Sequence, residues 1–164
     1  MNTVYLGLGS NSSDRLEMIR RARILINVFM GRILKQSALY CTDPWGEIDQ
    51  DIFINQVVSL ETDQSPKQFH KHLLTVEKIL SKKKNTKYGP RNIDIDILLF
   101  GDIVLDEVDL EIPHPRMHMR NFVLVPLAEI APAAIHPVLN RSIKDLQVEC
   151  IDTCSVELLE SVAV

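Results

Sequence analysis

Residues 89–102 read GPRNIDIDILLFGD, and the alternation within them decides the fold. From about Asn92 to Phe100 the chain reads as a strand, with Ile93, Ile95 and Ile97 on one face and Asp94 and Asp96 on the other. At positions i and i+2 the two carboxylates leave the same side with Cα atoms about 6.6 Å apart. Like charges at about 7 Å repel by about 0.6 kcal/mol in water and about 2.4 kcal/mol at an effective dielectric of 20. Asp is also a poor strand former. An isolated pair of this kind is most often a strand with a solvated polar face. A hard divalent cation would reverse the sign of the interaction, because Mg²⁺ takes one or two protein carboxylates and completes its octahedron with phosphate oxygens and waters.

Immediately upstream, Lys82, Lys83, Lys84, Lys87 and Arg91 place five cations in ten residues. Alone, such a run is a solvated helix end whose cations complement the C-terminal dipole. Beside paired carboxylates it matches the kit of phosphoryl transfer, in which metal bridges phosphate oxygens and Lys or Arg neutralises developing charge. Before it lies a helix with a defined start: Ser65 as N-cap, Pro66 in the first helical position, and Gln68 completing a capping box. Its apolar stripe is Phe69, Leu73, Val76 and Leu80. Two strands precede the helix, about Arg32–Tyr40 and Phe53–Glu61, separated by an irregular loop from Thr42 to Asp51 that holds Pro44, Trp45 and Gly46. Before these, a helix from about Asp14 to Met30 has the stripe Leu16, Ile19, Ala22, Ile26 and Phe29, with Gly31 as its stop, and a strand runs from Thr3 to Leu8.

Downstream, Gly101 and Asp102 followed by Ile103–Leu105 read as a two-residue hairpin, and the tail as mainly helical, with a helix from about Ser142 to Cys150. The order strand, helix, strand, strand, helix, strand predicts an α/β (α+β) ferredoxin-like βαββαβ sandwich with an added hairpin and a helical C-terminal tail, in one domain over residues 1–164. That fold carries enzymes, regulatory modules and RNA binders, so it does not give the function.

With 164 residues, 18 cationic and 22 anionic side chains, the formal charge is −4. A general nucleic-acid binder or nuclease would need a basic track and interleaved aromatics, whereas this chain is acidic with nine Phe, Trp and Tyr residues. MNTVYLGLGS lacks a cationic segment followed by an apolar stretch, and no 18 consecutive apolar residues occur, so a cytoplasmic protein with no membrane partner is expected. Cys41, Cys150 and Cys154 suggest neither a disulfide framework nor a zinc site. GLGSNS at residues 7–12 lacks the third glycine of a dinucleotide fingerprint, and no P-loop is present.

YLGLGSN (5–11), TDPWG (42–46), FINQV (53–57), GPRNIDIDILLFGD (89–102) and IPHPRMHMRNFVLVPLAEIAP (112–132), in that order, resemble the 6-hydroxymethyl-7,8-dihydropterin pyrophosphokinases of the folate pathway. The resemblance implies transfer of pyrophosphate from ATP, with Mg²⁺, to the pterin hydroxymethyl group with release of AMP. It makes Asp94 and Asp96 the ligands of two Mg²⁺ ions and gives Lys82 and Arg91 catalytic roles beside them. Glu77, Lys84, Arg91, Ile97, His114 and Arg120 correspond to the ATP site. Lys82 and Lys84 stand where the family usually carries arginines; lysine keeps the charge and loses the planar fork. Thr42, Pro44, Trp45, Phe53, Asn55 and Phe122 correspond to the pterin pocket, with Phe53 and Phe122 as the aromatic pair around the ring. His70, His72, His118 and His136 have no counterpart role and are expected to be structural or solvent-facing. A monomer is expected, and the alternative is a noncatalytic ferredoxin-like binding or regulatory module.

Overall fold

In the computed structural model, which describes residues 1–43, 51–81 and 93–159, β1 (Asn2–Ser10) is the hub of the sheet. It pairs antiparallel on one side with β4 (Phe53–Thr62), from Asn2↔Thr62 to Ser10↔Ile54, and on the other with β5 (Asp94–Phe100), from Val4↔Phe100 to Gly9↔Asp94. A register shift between Tyr5 and Leu6 lets Leu98 and Leu99 both turn to the face of the sheet that Val57 shares. Beyond β4 lie β2 (Ile33–Gln36) and β3 (Tyr40–Thr42), and β3 in turn pairs with β10 (Val156–Leu158). The order β10-β3-β4-β1-β5 carries the ferredoxin-like arrangement, with β10 added at one edge and β5 at the other.

One face of the sheet is sealed by α1 (Arg15–Phe29) and α2 (Pro66–Leu80). Val4, Leu6 and Leu8 of β1, Val58 and Leu60 of β4 and Ile95 and Ile97 of β5 meet Phe69, Leu73, Val76 and Leu80 of α2, the stripe the periodicity predicts. The capping box forms: Ser65 Oγ accepts from Gln68 N–H at 3.3 Å and Gln68 Oε1 accepts from Ser65 N–H at 3.1 Å. For α1 the predicted stripe is corrected. Ile19, Ala22 and Ile26 are buried, but Leu16 and Phe29 face outward and Met18 and Met30 take their places. Apolar side chains also lie on the outer side of α1 at Ile24 and Val28, so its sequence favours no single face, and contact with α2 and β1 decides.

The predicted strand Arg32–Tyr40 is two strands. At Ser37 the hydroxyl accepts from Val57 N–H at 3.0 Å while its own N–H donates to Val57 O at 2.8 Å, and the regular ladder is interrupted there until β3. The Gly101–Asp102 hairpin is also corrected. Gly101, at φ +54°, makes the turn and its N–H still donates to Thr3 O, but the chain leaves the sheet. The hairpin forms further on, between β6 (Leu105–Glu107) and β7 (Leu110–Ile112) around Val108 and Asp109.

The second face of the sheet is covered in part by α3 (Asn121–Ile130), which follows a single 3₁₀ turn at Met117–Met119. Against α3 packs α4 (Ile143–Glu149), which follows the small ladder of β8 (Ile135–His136) and β9 (Arg141–Ser142). Ser142 caps α4 through Asp145 N–H, close to the expected helix, but the tail expected to be mainly helical is otherwise loop and short strands and ends in β10 of the main sheet. Val57, Leu98 and Leu99 from the sheet join Val123, Leu124 and Leu127 of α3 and Ile143 and Leu146 of α4 in a second core. The half of this face nearest Gly9 is left uncovered by α3.

Candidate active site

Strand alternation turns Tyr5, Gly7 and Gly9 of β1 toward the second face, together with Phe53, Asn55 and Val57 of β4 and Asp94 and Asp96 of β5. Asp96 stands opposite Gly7 and Asp94 opposite Gly9, so no neighbouring side chain covers either carboxylate from β1. The result is a cavity of about 230 Å³. Its floor is Gly7, Gly9 and Asn55; Asp94 and Asp96 line one side, and Thr42, Phe53, Arg120 and Phe122 line the rest. The carboxylates do share a face and an open cavity, as the spacing predicts.

Asn55 is buried and its Nδ2 donates to Thr42 Oγ1 at 2.6 Å, which fixes the amide and turns Oδ1 toward β1. A Cβ on Gly9 would lie 2.7 Å from that oxygen. Glycine at position 9 therefore keeps room for the amide to present its carbonyl to the cavity. The Arg120 guanidinium stands 5.6 Å from the centroid of the Phe122 ring, a cation–π contact that holds charge and ring side by side.

Along the outer edge of β5 lies a second cavity of about 280 Å³, lined by Glu77, Ile97, Asp96 and His114. Glu77 of α2 is half-buried, and its Oε1 accepts from Ile95 N–H at 3.2 Å. Because Ile95 N–H points away from β1, alternation puts the backbone polar groups of Ile97 on the same open edge. His114 is tied to that edge by its own N–H, which donates to Leu98 O at 3.0 Å. Its Nδ1 accepts from Arg116 N–H at 3.1 Å, which leaves Nε2 as the proton-bearing nitrogen of the neutral ring. Burial pushes the His114 pKa below its usual value, and the nearby Arg120 and Arg116 push the same way against the opposing pull of Asp96.

Among the described residues no group of three or more His, Cys, Asp or Glu is placed to enclose a metal. Two carboxylates open to a cavity suit Mg²⁺, which leaves most of its shell to phosphates and water, and do not suit zinc, which wants three or four protein ligands. Of the residues expected at the site, Asp94, Asp96, Thr42, Phe53, Asn55, Phe122 and Arg120 come together in the first cavity, and Glu77, Ile97 and His114 with Asp96 in the second. Arg120, expected with ATP, lines the cavity of the aromatic pair. His70, expected to be structural or solvent-facing, lines the second cavity with Asp109 and Glu111, which have no signal in the sequence. Pro44, Trp45, Lys82, Lys84 and Arg91 lie outside the described residues.

Residues 5–132 match the family described as 7,8-dihydro-6-hydroxymethylpterin-pyrophosphokinase. The chain is 40% identical over 149 residues to the 2-amino-4-hydroxy-6-hydroxymethyldihydropteridine pyrophosphokinase of Aquifex aeolicus, covering 91% of this chain and 92% of that one. It is 39% identical over 130 residues to the Bacillus subtilis protein of the same name, covering 79% and 78%. A crystal structure of Plasmodium falciparum HPPK-DHPS superposes with a TM-score of 0.71 at 20% identity over 90% of this chain, which spans 43% of that longer one and shares its fold.

Proposed function

The chain belongs to the 7,8-dihydro-6-hydroxymethylpterin-pyrophosphokinase family, and on that premise we propose that its two adjoining cavities hold the two substrates of one transfer. The enzyme moves pyrophosphate from ATP to the hydroxymethyl group of 6-hydroxymethyl-7,8-dihydropterin in folate biosynthesis, releasing AMP. The observation that carries the assignment is Asp96, which lines both cavities and so stands where the two substrates meet.

The pterin fits the first cavity. Phe53 and Phe122 offer flat faces to the ring, with stacking worth about 0.5–1.5 kcal/mol beyond burial, and Asn55 Oδ1, held by Thr42, accepts from its amide edge. ATP fits the second, with the backbone of Ile97 and the carboxylate of Glu77 toward the nucleoside and the Nε2–H of His114 toward phosphate. Arg120, which lines the first cavity and lies near His114, donates to phosphate with two parallel N–H groups. When bound, Mg²⁺ neutralises the triphosphate and makes the β-phosphorus more electrophilic; Asp94 and Asp96 would hold it, as two ions in this proposal. The chain itself supplies position: the pterin hydroxyl is held in line with the β-phosphorus, and AMP leaves on the opposite side. No side-chain nucleophile is required. Lys82, Lys84 and Arg91 are assigned to clamp the phosphates.

In this proposal residues 1–164 act as one unit and as a monomer. No described helix is long and apolar enough to cross a membrane, and a cytoplasmic site of action, where ATP is plentiful, belongs to the same proposal. The test is direct. With Mg²⁺, ATP and the hydroxymethylpterin, the protein should produce AMP and a pterin diphosphate in equal amounts. ATP binding without AMP formation would instead make it a noncatalytic module.

A further inference from the structure

The first turn of α3 carries Phe122 into the first cavity, yet its N-cap residue, Arg120, makes no side-chain cap. Arginine has donors and no acceptor, so it cannot satisfy the free N–H groups of a helix start, and its positive charge opposes the positive end of the helix dipole. The usual N-cap residues, Ser, Thr, Asp and Asn, are excluded from this position while a guanidinium occupies it. The missing acceptor comes from 31 residues away. Asp152 Oδ2 accepts from Asn121 N–H at 2.9 Å, and Asp152 O accepts from Asn121 Nδ2 at 2.6 Å. The other carboxylate oxygen accepts from Cys154 N–H at 2.9 Å, which fixes the segment's own turn.

From that turn the chain runs directly into β10, where Val156 pairs with Thr42, Glu157 with Cys41 and Leu158 with Tyr40, and Leu159 N–H donates to Leu39 O at 2.9 Å. Thr42 is the residue that fixes the Asn55 amide. Eight residues, 152–159, therefore tie the start of α3, bearing Phe122 and Arg120, to the end of β3, bearing Thr42. These two elements line the same cavity, and the tie lies beyond residues 5–132, the stretch that matches the family.

We propose that Asp152 is a positioning residue for the pterin: by capping α3 from the C-terminal segment it sets the placement of Phe122 and Arg120 against the Thr42–Asn55 pair. The inference rests on the pterin occupying the first cavity. Asp152 is not among the described residues that line the first cavity; its reach into the pocket is through Asn121.

Calorimetric titration of the hydroxymethylpterin, in the presence of Mg²⁺ and a non-hydrolysable ATP analogue, tests it alongside steady-state kinetics. For Asp152→Ala the pterin Kd and KM should rise about tenfold, the scale of a lost helix cap, while affinity for the ATP analogue, which depends on this helix start only through Arg120, should fall less, by about threefold. Asp152→Asn keeps one acceptor for Asn121 N–H and loses the charge, so it should rescue most of the loss, leaving about a threefold rise. If Asp152→Ala does not fold, Asp152→Asn carries the test by the same readings. Ile26→Val, a mild destabilisation beneath α1, serves as the comparison and should leave pterin affinity unchanged. Unchanged pterin affinity in the Asp152 variants overturns the proposal, and so does an equal loss for both substrates. Failure of the wild-type protein to form AMP would overturn the assigned activity instead, and the pterin titration would still read the tie.

Discussion

The two faces of this sheet are made by alternate residues of the same three strands, yet they serve opposite ends. Toward α1 and α2, β1 sends Val4, Leu6 and Leu8, and β5 sends Ile95 and Ile97, all of them buried in a continuous apolar layer. Toward the other side the same strands send Gly7, Gly9, Asp94 and Asp96, residues that weaken a strand by propensity and leave a hole where a core would be. The sealed face supplies the stability that lets the open face carry like charges side by side. Substitutions on the open face should therefore remove activity and spare the fold, while substitutions on the sealed face should do the reverse.

Asp96→Ala is the sharpest way to break that division. It deletes the residue common to both cavities, and turnover should fall by more than about 10³-fold. Because Asp96 is exposed and stands beside another carboxylate, the thermal midpoint should hold or rise slightly. Near-normal AMP formation by a folded Asp96→Ala protein would remove the assignment. One pleat away in register, Leu6→Ala on the sealed face should cost about 2–5 kcal/mol of stability by denaturant unfolding, with turnover per folded molecule near wild type.

Between these extremes the two glycines test how finely the open face is shaped. A Cβ at Gly9 would sit 2.7 Å from Asn55 Oδ1, so Gly9→Ala must displace the amide that Thr42 holds. The pterin KM should rise about tenfold, within the range for one misplaced group in a pocket. At Gly7 the nearest atom is Leu98 Cδ2 at 3.5 Å, ordinary contact, and Gly7→Ala should change the pterin KM by less than about threefold. Equal effects at the two positions would show that bulk on the floor, and not the Asn55 amide, controls the pocket.

The same division explains what could be read before the structure. Ser65, Pro66, Gln68 and the stripe Phe69, Leu73, Val76 and Leu80 state α2 locally, and Asp94 with Asp96 states a polar face at strand period, so these hold in the fold. Local pattern fails where a choice is made by distant partners. Apolar residues surround α1, so its buried side is set by α2; Ser37 breaks a strand-like run through bonds to Val57, 20 residues away. The hairpin went to Val108–Asp109, which has no glycine, because Gly101 is spent keeping the β5 ladder in step with Thr3. The family pattern collected the cavity residues from five separate segments, which no periodicity would have joined. It did not reach Asp152, whose partner is Asn121 and whose segment lies beyond the matched residues.

The smallest effect is expected where α3 is held to the sheet edge on the cavity side, at Tyr40. Its hydroxyl donates to Glu129 Oε2 at 2.5 Å, and Glu129 Oε1 also accepts from Ala38 N–H at 3.0 Å, so one carboxylate ties α3 to β3 and to the residues before it. Burial, then the hydrogen bond and charge of Glu129, push the Tyr40 pKa up to about 12 from 10.0. The folded state thus keeps a proton that the unfolded chain releases near pH 10. Stability from this contact is complete below pH 10 and is lost as pH rises toward about 12, because there the unfolded state binds fewer protons. Because alkali acts on the whole protein, the informative quantity is a difference. The thermal midpoint of wild type should fall more steeply than that of Tyr40→Phe between pH 10 and 12, while at pH 7 the variant should be only slightly less stable. Parallel alkaline limbs would mean that the hydroxyl contributes nothing to holding α3 against the edge of the open face.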